Sequence, residues 1–167
     1  MSGEQEFAEF ARGRMQHLYR AAWLLCGDPH RAEDLTQETL AKVYAKWSPR
    51  LDNPAAYART TLVRTWISHQ RRRTHHEQPL AELPESPAAS TDADLRIVLR
   101  AALLRLEPRD RAVVVLRYLD DVPVDDVALM LGLSPTAVRS RAKRALDKVR
   151  TTLGPHLPDL ELTQESR

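Results

Sequence analysis

The stretch Val124–Arg150, VDDVALMLGLSPTAVRSRAKRALDKVR, decides how the rest of the chain is read. It breaks at Gly132 into two amphipathic pieces. On the first, Val124, Val127, Ala128 and Leu131 recur at helical spacing. Gly132 suits the left-handed conformation that ends such a helix sharply. Ser134 is a good N-cap, and Pro135 fits the first helical position, where its missing N–H costs nothing. On the second piece Val138, Ala142, Ala145 and Val149 form one stripe. Arg139, Arg141, Lys143, Arg144, Lys148 and Arg150 occupy the other sides against one acid, Asp147. A small apolar stripe allows close packing on the first helix, and a polycationic outer face suits the major groove of DNA and its phosphates. Basic faces are common on solvated helices. The glycine stop, the Ser-Pro start and the arginine cluster together favour a helix-turn-helix.

Charge is distributed in blocks along the 167 residues. Residues 1–75 hold 12 Lys/Arg against 8 Asp/Glu, and residues 95–153 hold 12 against 7. Between them, residues 76–94 hold no Lys/Arg and 5 Asp/Glu. Two basic blocks joined by an acidic segment suggest two nucleic-acid-facing modules and a linker. Cys26 is the single cysteine and sits in an apolar helical run, which suits a buried thiol in a reducing cytoplasm and excludes a disulfide within one chain. No apolar run is long enough to cross a bilayer, and the acidic start (Glu4, Glu6, Glu9) does not resemble a signal peptide. The expectation is a soluble, cytoplasmic protein without membrane insertion.

Outside the linker almost everything reads as helix. Phe7, Phe10, Ala11, Met15, Leu18, Ala22 and Leu25 form an apolar stripe closed by Gly27. Asp28-Pro29 restarts a helix, with Ala32, Leu35, Thr39, Leu40, Val43 and Trp47 on its buried side. Ser48 to Asn53 is a turn, and Asn53-Pro54 repeats the cap-plus-proline start of a helix that runs through Tyr57, Leu62 and Trp66 to Arg73. Residues 74–91, with Pro79, Pro84 and Pro87, read as linker. Thr91–Asp94 resembles a capping box ahead of Leu95, Val98, Leu99, Ala102 and Leu106. Pro108 opens the next helix, with Val113, Val114, Leu116 and Leu119 behind it. The predicted fold is all-α: two small helical bundles joined by a flexible acidic linker, the second containing the helix-turn-helix. The domains are 1–74, a linker 75–93, 94–153, and a tail 154–167.

Four motifs then fall in a recognisable order. Leu35-Thr36-Gln37-Glu38 follows Ala32-Glu33-Asp34. Asn53-Pro54-Ala55-Ala56-Tyr57 leads a helix ending Arg71-Arg72-Arg73. Leu106-Glu107-Pro108-Arg109-Asp110-Arg111 precedes an apolar helix with Arg117-Tyr118. Val138-Arg139-Ser140-Arg141 and Arg144-Ala145 lie in the second helix of the helix-turn-helix. Over about residues 5 to 152 the chain resembles the extracytoplasmic-function (ECF) sigma factors of bacterial RNA polymerase, especially the short actinobacterial kind.

The resemblance implies that the first domain binds the polymerase clamp and reads and opens the minus-ten element. The second would bind the minus-thirty-five element and the flap, and the linker would pass toward the RNA exit path. Asp34, Leu35, Gln37 and Glu38 are the candidates for core-polymerase binding; a polar, acidic helix face suits a basic partner helix. Asn53, Tyr57, Arg59, Arg64, Arg71, Arg72 and Arg73 are the candidates for minus-ten DNA, since arginines hold phosphates and aromatic faces stack on unpaired bases. For Tyr57 and Trp66 core packing is the favoured reading, and the Arg71–Arg73 run is the better backbone clamp. The loop Ser48–Ala56 matches the region where relatives capture a flipped base. Thr136, Arg139, Ser140, Arg141, Lys143, Arg144 and Lys148 are the candidates for minus-thirty-five DNA. Arg64 and Ser68 stand where many relatives have Asn and Asp, and Pro135-Thr136 replaces a frequent Gly-Thr. Many relatives are held by a membrane-linked anti-sigma partner; no residue here decides whether this chain has one.

An enzyme is disfavoured. The sequence has no glycine-rich phosphate loop, no HExxH and no zinc-type Cys cluster, and its His residues form no ligand set, so no metal or cofactor is expected. His75-His76 reads as an extra DNA-facing or solvated pair. Two other readings stay open: a stand-alone helix-turn-helix regulator with an N-terminal protein-interaction module, and an adaptor that binds only proteins. The Asp34–Glu38 motif and the basic third helix argue against the first, and two separate basic helices argue against the second.

Overall fold

In a computed structural model, residues 2–73 and 92–154 are described, and the chain divides into two compact units, Met1–Glu77 and Gln78–Arg167. The expected linker up to residue 91, including His75-His76 and the Thr91 half of the capping box, and the tail beyond residue 154 fall outside the described residues; Asp92 and Ala93, expected at the end of the linker, begin the next helix. Every regular element among those described is helical, as the sequence predicts.

The first unit contains α1 (Gly3–Cys26), α2 (Pro29–Ala45) and α3 (Pro54–Arg73). Local chemistry sets each boundary. Ser2 and Gln5 form a reciprocal capping box at the start of α1. Gly27 ends α1 in the left-handed conformation, φ 70°, and donates its N–H to the Trp23 carbonyl at 2.7 Å. The Asp28 carboxylate then accepts the Arg31 N–H at 2.9 Å, which starts α2 and holds its pKa below the ordinary 3.8. Asn53 Oδ1 accepts the Ala56 N–H at 3.0 Å and starts α3.

Leu18, Ala22 and Leu25 of α1 pack with Ala32, Leu35, Leu40 and Val43 of α2 and with Leu62, Val63 and Trp66 of α3. Thr36 and Thr39 are buried among them because each hydroxyl donates at 2.7 Å to a carbonyl one turn back. Met15 departs from the expected stripe: it is 40% exposed, since the amino-terminal half of α1 packs chiefly through its aromatic residues. Phe7 and Phe10, 6.3 Å apart, meet Tyr44 and Trp47 there with ring centroids 4.9 to 5.2 Å apart.

The second unit contains α4 (Asp92–Leu104), α5 (Pro108–Val114), a π-helical turn (Val115–Leu119), α6 (Val124–Leu131) and α7 (Pro135–Leu153). The π turn is closed by the Asp120 N–H bonded to the Val115 carbonyl five residues back. It takes up one more residue per turn than an α-helix. That corrects the expectation for Leu119, which is 44% exposed while Val113, Val114, Val115 and Leu116 remain buried. Gly132 ends α6 at φ 64°, and the Ser134 hydroxyl accepts the Ala137 N–H at 3.1 Å to start α7. Val138, Ala142, Ala145, Val149 and Leu153 are the buried side of α7, which packs on α4, α5 and α6.

Ala145 is fully buried on the side of α7 that packs against α4, α5 and α6. Ala145→Leu should overpack this seam and remove about 1–3 kcal/mol of stability. Urea unfolding followed by circular dichroism measures it. Unchanged or higher stability would mean that α7 does not lie as close to its neighbours as its small residues allow.

Candidate nucleic-acid and partner interface

The outer side of α7 follows from its inner stripe. With Val138, Ala142, Ala145 and Val149 inward, Thr136, Arg139, Ser140, Lys143, Arg144 and Lys148 are all exposed, as a 100° step per residue requires. Arg144 lies back along the helix, its Nε 3.4 Å from the Ser140 carbonyl.

Arg141 is the exception: it is half-buried and already paired within the fold. Its Nη1 donates to Asp110 Oδ1 of α5 at 2.7 Å, with the two side chains 28% and 12% exposed. It lies on the flank of α7 nearest α5, where a buried carboxylate outcompetes solvent for the guanidinium. Two more arginines turn inward. Arg111 is buried and donates to the carbonyls of Leu103, Leu104 and Leu106 at the end of α4. Arg117 donates to the Val122 carbonyl at 2.7 Å across the turn after the π segment. Counting charge along the sequence cannot separate these from solvent-facing arginines, because their partners are mostly backbone oxygens.

In the first unit the expected polymerase-binding residues divide in the same way. Asp34 and Gln37 are exposed on α2. Leu35 is corrected: at 1% exposure it belongs to the core and supports the face from behind. Glu38 is not an open acid. Its carboxylate meets Lys42 one turn on at 2.9 Å and His69 of α3 at 2.9 Å, and Lys42 also donates to the Thr65 hydroxyl at 3.1 Å. The Lys42 hydrogen bond, aided by the His69 charge and opposed by partial burial, holds the Glu38 pKa below its ordinary 4.5. Sequence reasoning missed His69; the helical partnership of α2 and α3 that brings it to Glu38 is tertiary.

Along α3, Arg64, Arg71 and Arg72 are exposed, while Arg59, Tyr57 and Arg73 are half-buried. Trp66 is buried, so the core reading holds for it. Asn53 is exposed, but its side-chain oxygen is engaged as the α3 cap. The turn before it is closed by the Leu51 N–H on the Ser48 carbonyl and the Arg50 N–H on the Ser48 hydroxyl. At the other end of α3, Arg72 and Arg73 line a cleft of about 390 Å³ with Arg31, Asp34, Leu35 and Trp66. Residues expected to serve two separate tasks therefore share one surface.

Residues 11–76 match the family model for sigma-70 region 2, and residues 96–149 match that for sigma-70 region 4. The chain is 38% identical to the RNA polymerase sigma-E factor of Streptomyces coelicolor over 153 residues, covering 89% of this chain and 86% of that protein. It is 30% identical to the ECF RNA polymerase sigma factor SigL of Mycobacterium tuberculosis, covering 81% and 82%. The chain belongs to the ECF sigma factors of bacterial RNA polymerase. It is thus a transcription initiation factor that directs polymerase to promoters. The crystal structure of SigJ from Mycobacterium tuberculosis aligns at a TM-score of 0.60 with 29% identity, over 86% of this chain and 52% of SigJ. The sigma factor RpoE of Bartonella quintana, solved with the anti-sigma factor NepR, shares the fold at a TM-score of 0.73 and 24% identity, over 90% of this chain and 98% of that one. The match to region 2 removes the stand-alone regulator reading. Among the described residues no helix is long and apolar enough to cross a membrane.

The Glu38 contacts carry a pH dependence. A carboxylate whose pKa falls on folding adds stability above its unfolded value, and that stability is lost as pH drops through the folded value. Glu38→Gln should therefore destabilise the first unit slightly near neutrality, by less than about 1 kcal/mol for so open a group. The difference from wild type should shrink as pH falls below the ordinary glutamate value of 4.5 and vanish once the folded-state carboxylate is protonated as well. Thermal melts across pH measure it, and a gap that persists in acid would assign the effect to shape rather than charge.

Proposed function

We propose that the two units divide promoter recognition between them. In this reading residues 1–74 bind core polymerase and read and open the minus-ten element. Residues 94–153 read the minus-thirty-five element and bind the flap, and residues 75–93 connect the two. The observation that carries the DNA assignment is the exposed row Arg139, Ser140, Lys143, Arg144 and Lys148 opposite a buried small-residue stripe. Such a row fits a major groove, with its central side chains over base edges and its flanks near phosphates. On α2, Asp34 and Gln37 offer the open polar contacts for core polymerase, and Glu38, braced by Lys42 and His69, completes the face. Arg64, Arg71 and Arg72 are the exposed cations for minus-ten DNA, with Tyr57 beside them on α3. The base-capturing loop is Ser48–Ala56. The protein acts in the cytoplasm with polymerase and is not itself an enzyme. An anti-sigma partner, such as the one bound to the RpoE relative, would act by altering how the two units meet the polymerase.

In vitro transcription with purified core polymerase and a promoter library tests the whole reading and defines the promoter. Free protein should bind duplex DNA only weakly, because each unit offers few phosphate contacts, and core should be needed for specific binding. Tight specific binding by the protein alone at physiological salt would contradict it.

On α7, Arg144→Ala should cost about 1–3 kcal/mol on the preferred minus-thirty-five sequence and relax discrimination there. Lys148→Ala should weaken holoenzyme binding evenly across sequences and flatten its salt dependence by about one unit. Equal loss on every sequence for Arg144→Ala would remove it from the base readers and leave it a phosphate contact.

A further inference from the structure

The inner face of α7 has a mechanical weakness. Its stripe is built from two valines and two alanines before Leu153, and alanine projects too little to interlock with a neighbouring helix. Small residues bring the backbones close, but they fix the rotation of a helix about its own axis poorly. A recognition helix needs that rotation fixed, since a turn of one residue's worth, 100°, replaces every side chain facing the groove. Packing on three helices limits that rotation, and a directional polar contact can fix it further.

The structure supplies a polar contact at the right place. Asp110 lies in the first turn of α5, largely buried, and takes the Arg141 guanidinium at 2.7 Å. Arg141 sits one residue before the inward-facing Ala142, so a tether at this position resists rotation of α7. The anchor is itself fixed. The next residue, Arg111, is buried and bonded to three carbonyls at the end of α4. Two adjacent side chains of α5 thus tie the end of α4 to the middle of α7. A part-buried arginine–carboxylate pair is directional, and losing one partner strands the other.

We infer that the Asp110–Arg141 pair is a positioning device that sets the rotational register of α7, and so determines which side chains reach the minus-thirty-five bases. Arg141 acts through Arg139, Ser140 and Arg144 rather than by holding a phosphate. This rests on the reading of α7 as the minus-thirty-five helix. The register is set by an acid on another helix, so Asp110, which touches no DNA in this reading, determines specificity.

The test uses holoenzyme assembled with full-length Asp110→Asn, Arg141→Gln and the double variant. Binding is measured on promoters mutated at each minus-thirty-five position and at several salt concentrations. Each single variant should lower the preference for the best sequence over its mutants by roughly 5- to 10-fold, the order of one well-formed base contact. The double variant should lose no more than the worse single one, because both break the same pair. The slope of log affinity against log salt should stay unchanged, whereas a lost phosphate contact reduces it by about 0.9. A role in stability alone would lower the melting temperature and the active fraction without changing the preference of the folded protein.

Unchanged preference in Asp110→Asn overturns the proposal, as does a reduced salt slope with intact preference in Arg141→Gln. Asp110→Asn keeps the shape and one acceptor oxygen, so it carries the test if Arg141→Gln melts too low to assay. If Arg141 instead held a phosphate, releasing it from Asp110 would leave preference intact, and Arg141→Gln would reduce the salt slope by about 0.9. Wild-type holoenzyme that shows no minus-thirty-five preference would defeat the assignment of α7 itself, a result distinct from failure of the pair.

Discussion

The close approach of α7 to α4, α5 and α6 is the constraint on which the second unit depends. A helix that presents cations outward must bury its other side without bulky residues that would push it away from its supports. Val138, Ala142, Ala145 and Val149 meet that demand. The cost is a seam with little shape of its own and, at the end of α4, carbonyls without intrahelical partners. The chain turns back on one of them, the Leu106 N–H donating to the Leu103 carbonyl at 3.0 Å. Arg111 adds donors from the interior to Leu103, Leu104 and Leu106. A guanidinium has five donors in a planar fork, so one side chain can satisfy several oxygens and remain buried. Polar chemistry completes what small-residue packing leaves open.

The first unit solves a different problem. The α2 face proposed to meet core polymerase must stay polar while lying directly over the core, since Leu35, Thr36, Thr39 and Leu40 are buried between the polar positions of α2. Glu38 does two things there. It joins α2 to α3 through His69, and with Lys42 it turns one edge of the face into a balanced set of charges. The open acid of the face is Asp34, which shares a cleft with Arg31, Arg72 and Arg73. The face therefore carries alternating signs rather than a uniform acidic strip. Alternation selects register and orientation more than it adds raw attraction, because a misplaced partner brings like charges together.

How much of this was legible in the sequence follows from where each interaction is made. Helix boundaries were readable because they are local: Gly27, Asp28-Pro29, Asn53-Pro54, Gly132 and Ser134-Pro135 act within four residues of themselves. The buried stripes of α2 and α7 were readable because periodicity records them. Met15 and Leu119 were misplaced because their exposure depends on an aromatic cluster and a π turn, neither of which periodicity encodes. The partners of Glu38, Arg111 and Arg141 were not legible. Each is made across helices or to backbone oxygens, and a backbone oxygen leaves no trace in residue type.

That last point bears on how a basic face should be read in any small helical DNA-binding unit. The sequence of α7 presents a cluster of cations that invites counting each as a phosphate contact. The fold assigns Arg141 to Asp110, and Arg111 and Arg117 of the supporting elements to carbonyls. What stays open on the outer side is Arg139, Lys143, Arg144 and Lys148. Counterion release scales with phosphates neutralised, not with cations in the chain. A unit whose arginines also hold its own helices together binds DNA less tightly than its charge implies, and its affinity falls less steeply with salt. For an initiation factor this suits the task. In the proposed division of promoter recognition, weak contacts by each unit would keep the protein from settling on arbitrary DNA, and specificity would arise when polymerase holds both units on one promoter, where the second contact becomes effectively intramolecular.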